Sequence, residues 1–282
     1  MNALNVAVVG GGLGGLCLAH GLLKAGIDVT LYERDASLAG RRQGYRLHLD
    51  ARAGLALQQC LPPPSLELFQ ASCARASRRM TVMTERLRVL HELNGDPAAD
   101  PYAPSTLSTS VNRRTFREVL ARGLEQKLVF GCELTRYEAG KNQIKLHFAD
   151  GRHAEADLLV GADGVNSAVR RQYLPAAEPA DTGTRSIYGK TPPSRVTLLG
   201  DAIHAMSPAR GSGANTALQD AATLCRALSA NETTAAVADY ESQMRTYGYQ
   251  AVAAASRAEA EMGARHNKLA FWLYRRLARA GT

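Results

Sequence analysis

Three short stretches of this chain are rich in glycine and come with an acid within or after them, and the first has the spacing to hold a phosphorylated ligand. The first is GGGLGG at 10–15, with Gly10, Gly12 and Gly15 at the GxGxxG spacing and Leu13 and Gly14 between them. A glycine at the first position makes a tight turn out of a strand. One at the second lets a pyrophosphate approach the backbone, and one at the third lets the following helix pack close to the strand. The helix start then offers free N–H groups and a partial positive charge to phosphate. Glu33 and Arg34 follow about twenty residues on, where an acid at the end of the second strand accepts hydrogen bonds from a ribose diol and disfavours a 2′-phosphate. The second stretch is GADGVNSAVR at 161–170, centred on Asp163. The third is LLGDAIHAMSPARGSGANTAL at 198–218, which pairs Asp201 with the small residues Gly211, Gly213 and Ala214, and with Pro208 and Asn215.

The elements that must carry these residues are legible around them. NVAVV is a continuous apolar run, LCLAHGLLKAG has helical apolar periodicity, and IDVTLYE is a second strand, so residues 5–35 read as one βαβ unit of roughly thirty residues. Residues 51–60 read as a helix stopped by Pro62, Pro63 and Pro64, and 78–93 as a hairpin turning near Glu85. Residues 112–124 read as a helix. Residues 144–148 and 156–160 read as a second hairpin across the Asp150-Gly151 turn, 196–199 as a strand, and 216–230 and 234–262 as Ala-rich helices. The fold class is α/β, with a parallel Rossmann-like core.

Composition narrows the function. The chain has 282 residues, 45% hydrophobic and 21% charged, with ample material for a core. The formal charge is +8, but the arginines are dispersed and no aromatic platform is interleaved with them, which argues against nucleic-acid binding. Five scattered cysteines and seven histidines give no metal-ligand spacing, so no metal is expected, and free thiols point to a reducing, cytoplasmic setting. No apolar run is long enough for stable membrane insertion. The basic tail AFWLYRRLARA at 270–280 reads as an amphipathic helix laid on the body.

Taken in order, GGGLGG with Glu33, GADGVNSAVR and LLGDAIHAMSPARGSGANTAL, with SVNRRTFREVL at 110–120 between the first two, resemble the para-hydroxybenzoate hydroxylase family of FAD-dependent aromatic monooxygenases. The resemblance implies a Rossmann-like FAD-binding fold with a β-sheet substrate domain and C-terminal helices. The FAD half then comprises 1–60, 100–170 and 195–282, and the substrate half 61–99 and 171–194. It implies FAD as cofactor and NADPH or NADH as donor. The reduced flavin adds O2 as a C4a-hydroperoxide and oxygenates an aromatic or polycyclic small molecule. By the same resemblance Asp201 binds the ribityl chain and Pro208 nears the reactive face. Gly211, Gly213, Ala214 and Asn215 present backbone N–H groups to the ring. Arg113 and Arg42 contact the cofactor, and Asp163 supports its phosphates indirectly.

One departure stands out. Only residues 171–199, 29 in all, separate the second and third stretches, with at most one short strand near 185–188. That is too little for a multi-stranded half-sheet. A shortened roof exposes an edge and invites a second copy, so a homodimer is one expectation. A flavin-binding protein without oxygenase activity is the alternative to the monooxygenase. A plain NAD-dependent dehydrogenase accounts for GxGxxG alone but leaves the Gly-Asp loop unexplained.

Overall fold

The computed structural model describes residues 4–39, 46–74, 79–83, 88–94, 100, 102–176, 196–206 and 210–264. The apolar run at the start forms β1 (Asn5–Val9), whose Val6 and Val8 are fully buried. It is the middle of a five-stranded sheet in the order β12-β11-β1-β2-β7, with β2 (Asp28–Glu33), β7 (Leu128–Phe130), β11 (Leu158–Gly161) and β12 (Val196–Leu198). Every pairing in it is parallel. Such a sheet is covered on both faces, which is why its strands read as unbroken apolar runs rather than alternating ones.

Helix α1 (Leu13–Lys24) crosses from β1 to β2 and is buried almost all round. It packs against α2 (Ala51–Cys60), α4 (Arg113–Ala121) and α7 (Gly213–Ala230). Its fully buried Leu16, Leu18 and Leu22 each contribute on the order of 1.5–3 kcal/mol of transfer free energy. Helix α8 (Thr233–Ala264) lies on α7. Helix α2 is started by Asp50, whose carboxylate accepts the Arg52 N–H, and α4 by Asn112, which accepts from Arg114 and Thr115.

Smaller sheets surround this core. β3 (Arg46–Asp50) pairs antiparallel with β6 (Ser108–Asn112), and β4 (Arg79–Met83) with β5 (Val89–Asn94) as the hairpin read from the sequence. A three-stranded sheet runs β10-β9-β8, from β8 (Leu134–Ala139), β9 (Ile144–Phe148) and β10 (His153–Ala156).

Two sequence expectations change. The strand read over 156–160 is really two. β10 ends at Ala156, and the chain then turns into β11 of the main sheet, with the Asp157 N–H donating to the Asn5 carbonyl and the Asp157 carboxylate accepting the Asn5 N–H. The three prolines after α2 also do more than stop it. Pro63 and Pro64 open α3 (Pro63–Ser72), where a missing N–H costs nothing. The turn near Glu85, the short strand at 185–188 and the tail at 270–280 lie outside the described residues.

Candidate functional site

The three glycine stretches, far apart in sequence, meet at one cavity of about 440 Å³ at the carboxyl ends of β1, β2, β11 and β12. Open parallel sheets place their ligands at this edge. Gly10, Gly12, Leu13, Gly14, Gly15, Glu33, Arg34, Arg113, Asp163, Asp201, Gly211, Gly213 and Ala214 all line it. Asn215 does not, and Arg42 and Pro208 lie outside the described residues.

The first turn is shaped by what its glycines exclude. Gly10 holds φ +113°, and a Cβ there would fall 2.2 Å from the Ala162 carbonyl oxygen. A Cβ on Gly15 would fall 2.2 Å from the Gly10 carbonyl oxygen, and one on Gly14 2.6 Å from Leu199. These three are glycines because backbone and helix close on them. Gly12 is different: among the described residues nothing lies within 4 Å of where its Cβ would be. Its side faces open space at the start of α1, where a phosphate can approach.

Helices α1 and α7 both begin at this cavity. Neither carries a side-chain cap, and neither has an acid in its first turn. Two helix N-termini with free N–H groups thus face one cavity, a setting for anionic and electron-rich ligand atoms. Arg113, at the start of α4, lines the same wall with its buried Nε lacking any hydrogen-bond partner among the described residues. A buried guanidinium N–H without a partner costs free energy unless a ligand takes it.

The acids are held in different ways. Glu33 is buried and its carboxylate is already engaged: Oε2 accepts the Gly11 N–H at 3.0 Å and the Arg117 guanidinium at 2.8 Å, and Oε1 accepts the Asp35 N–H at 3.0 Å. Arg117, buried in α4, also donates to the Gly11 carbonyl at 2.8 Å and the Leu38 carbonyl at 3.3 Å. It therefore clamps the glycine turn to the end of β2. The sequence reading missed it, although its position one helical turn beyond Arg113 puts both arginines on one face.

Asp163 caps α5 (Ala168–Tyr173), accepting from the Ser167 hydroxyl at 2.5 Å and the Ala168 N–H at 2.6 Å. Burial pushes its carboxyl pKa up. The fully buried Arg170 of the same stretch donates to the Val165 carbonyl at 2.7 Å and, across the fold, to the Ala202 carbonyl at 3.2 Å. Ala202 lies in α6 (Asp201–His204), so the second stretch braces the third.

Asp201 is exposed to the cavity but flanked by protein. Desolvation pushes its carboxyl pKa up, opposed by the charges of His204 and Arg113. The side chain of Asn215 turns away from the cavity, which leaves its backbone N–H, in the first turn of α7, as the group the resemblance assigns to the ligand. That buried side chain accepts the Asp50 N–H at 3.0 Å and donates to the carbonyls of His48 at 3.0 Å and Gly211 at 3.1 Å. It staples the Gly211–Gly213 loop to β3. Among the described residues no cluster of metal-ligating side chains converges, and no helix is long and apolar enough to cross a membrane.

A parallel α/β sheet with a glycine turn, an acid at the end of β2 and two uncapped helices at one cavity defines a Rossmann-like dinucleotide-binding protein. Residues 8–65 match an NAD(P)-binding Rossmann-like domain and residues 188–261 an FAD binding domain. The chain is 34% identical over 243 residues to a dual O-methyltransferase/FAD-dependent monooxygenase of Phaeosphaeria nodorum, a match that covers 80% of this chain and 24% of that protein. It is 31% identical to the 6-methylsalicylate 1-monooxygenase of Aspergillus terreus, covering 68% of this chain and 45% of the relative. A crystal structure from Photorhabdus luminescens, of a protein provisionally assigned as an FAD-containing monooxygenase, superposes with TM-score 0.76 at 28% identity. It covers 91% of this chain and 97% of that one. The chain's homologues are thus FAD-dependent monooxygenases, and it spans less than half the length of the two curated relatives named.

Proposed function

We propose that the protein is an FAD-dependent monooxygenase that uses NADPH or NADH and hydroxylates an aromatic or polycyclic small molecule. The observation that carries this reading is the meeting of all three glycine–acid stretches on one cavity, beside a buried arginine N–H that has no partner among the described residues. The residues present fit FAD. Gly12 leaves the approach to the N-terminus of α1 open for a pyrophosphate. Arg34 and Arg113 supply positive charge at that wall, with Arg42 assigned the same role. Glu33, held in place by Arg117, accepts from the adenosine ribose, and Asp201 from the ribityl hydroxyls. Gly211, Gly213, Ala214 and Asn215 bring backbone N–H groups and the N-terminus of α7 to the flavin ring, with Pro208 assigned to its reactive face. There they stabilise negative charge. Bound FAD would supply hydride acceptance and O2 activation. The chain's own residues bind, orient and exclude water.

We propose the division into an FAD half at 1–60, 100–170 and 195–282 and a reduced substrate half at 61–99 and 171–194, with a second copy of the chain completing the roof as a homodimer. Five free cysteines, four of them buried, support a reducing, cytoplasmic setting. The test is the visible spectrum of the purified protein, followed by NADPH and NADH addition under air. Near-stoichiometric flavin bands that bleach and recover support the proposal. Bound flavin that neither donor bleaches, even with aromatic substrates present, leaves an FAD-binding protein without oxygenase activity. That outcome is favoured by the 29 residues at 171–199 where a roof would be built. A colourless protein that cannot be reconstituted with FAD overturns both readings.

A further inference from the structure

Behind the Gly200–Asp201 turn, outside the cavity, lies a buried polar cluster that the proposed chemistry does not use. Asp220 of α7 is fully buried. Its Oδ2 accepts the Gly200 N–H at 2.7 Å and bonds His204 Nε2 at 2.6 Å, while Oδ1 accepts the Tyr247 hydroxyl of α8 at 2.7 Å. Three groups, two from the turn into α6 and one from α8, thus converge on one carboxylate of α7. A carboxylate is buried this deeply only where its lone pairs are met. Gly200 sits at φ +61°, ψ −143°, a conformation essentially confined to glycine. The peptide it sets leads directly into Asp201 at the cavity wall.

We infer that Asp220 is the positioning residue of this turn: by accepting the Gly200 N–H it fixes the Leu199–Gly200 peptide that enters the turn, and with Gly200 so placed, the point from which Asp201 presents its carboxylate. Tyr247 and His204 hold Asp220 from the other side. Helix α8 therefore reaches the cavity wall through Tyr247 and Asp220 without lining it at either residue. The consequence for cofactor rests on the reading of the cavity as a flavin site. The local geometry stands apart from it.

Tyr240 supplies the internal control. It is fully buried on the same helix, where Tyr247 is partly buried, and its hydroxyl donates to the Leu198 carbonyl at 2.8 Å, one strand residue short of the turn. The experiment compares wild type with D220A, D220N, Y247F and Y240F. Two quantities are read: FAD affinity by titration, and hydrogen–deuterium exchange of the Gly200 amide without FAD. D220A is expected to weaken FAD binding and to speed Gly200 exchange by about tenfold or more, the loss of one charge-assisted hydrogen bond. D220N keeps an acceptor oxygen and restores both to within about threefold. Y240F leaves both at wild-type values even where its melting temperature falls.

D220A behaving as wild type, or Y240F matching D220A at equal stability, overturns the inference. So does D220N failing as fully as D220A. If D220A does not fold, Y247F carries the test: Gly200 exchange faster than in Y240F supports the inference, and equal exchange overturns it. A wild type that binds no FAD defeats the flavin reading alone, and the Gly200 exchange still decides the positioning.

Discussion

The cavity is closed by two glycine–acid turns built on different plans. At the N-terminal turn a single carboxylate does two jobs. Glu33 faces the cavity, and the same Oε2 that accepts the Gly11 N–H also meets the buried Arg117. At the C-terminal turn the jobs are divided. Asp201 faces the cavity, while Asp220, 19 positions later and fully buried, fixes the backbone. Stability and ligand binding are therefore entangled at the first turn and separable at the second.

The largest effect sharpens this within the first turn itself. Gly10→Ala must place a methyl 2.2 Å from a backbone oxygen at φ +113°, and neither β1 nor β11 can move aside without breaking their register. We expect a loss of more than about 4 kcal/mol, read as failure to yield folded protein or as a collapse in thermal midpoint. Gly12→Ala meets nothing and has an ordinary backbone. It should fold with near wild-type stability and lose FAD affinity. Equal stability losses in the two variants would erase the distinction between packing glycine and ligand glycine.

The next effect compares the acids directly. Glu33→Gln removes the nearer of the two carboxylates facing the buried Arg117 guanidinium and leaves Asp35 at 3.8 Å, a loss of about 1.5–3 kcal/mol. Asp201→Asn removes a carboxylate whose own desolvation already pushes its pKa up. The apo protein should therefore keep its denaturation midpoint, while FAD affinity falls by about tenfold to a hundredfold. Denaturant melts of the two apo variants, beside flavin titrations, check this. An Asp201→Asn protein as destabilised as Glu33→Gln would mean that both turns follow the first plan.

What the sequence made legible follows the same line. The positive φ of Gly10 and the closeness of Gly15 to the Gly10 carbonyl are demands of the turn itself, and such demands are written in spacing. The Gly-Asp pair at 200–201 was readable for the same reason. Arg117, Asp220 and Asn215 were not, because their roles are pairings at a distance: Arg117 with Glu33 across 84 positions, Asn215 with His48 across 167. A helical arginine is usually solvated, and only its placement one turn from Arg113 hinted otherwise. Asn215 was assigned to the ligand through its backbone N–H, and what the sequence did not reveal is that its side chain turns back onto β3. Helix α3 was hidden because three prolines signal a stop more loudly than a start.

The smallest effect is carried by pH, and it separates the two turns once more. Burial pushes the His204 imidazole pKa down, but the charge and hydrogen bond of Asp220 outweigh it, and the net direction is up from 6.5. Asp201 adds to the rise, and the Tyr247 hydroxyl stays protonated because burial and Asp220 push its pKa up. A histidine whose folded value lies above its unfolded one contributes stability that is fully present below the unfolded value and lost as pH rises through the folded one. Asp163 and Asp201 are also shifted up, but from 3.8, so their windows lie at acid pH. Burial lowers His20, which pulls the other way below 6.5. The informative quantity is thus the difference between wild type and His204→Gln, in thermal melts from about pH 6 to about pH 9. The stability advantage of wild type should shrink across that range, by about 1.4 kcal/mol for every tenfold by which folding tightens the imidazole's hold on its proton. Arg117→Met should lower stability at every pH and leave that slope intact, since a guanidinium does not titrate in the range. A slope unchanged by His204→Gln would place the titrating group elsewhere. It would also leave Asp220 holding the second turn by hydrogen bonds to a neutral imidazole, on the same terms as a neutral asparagine.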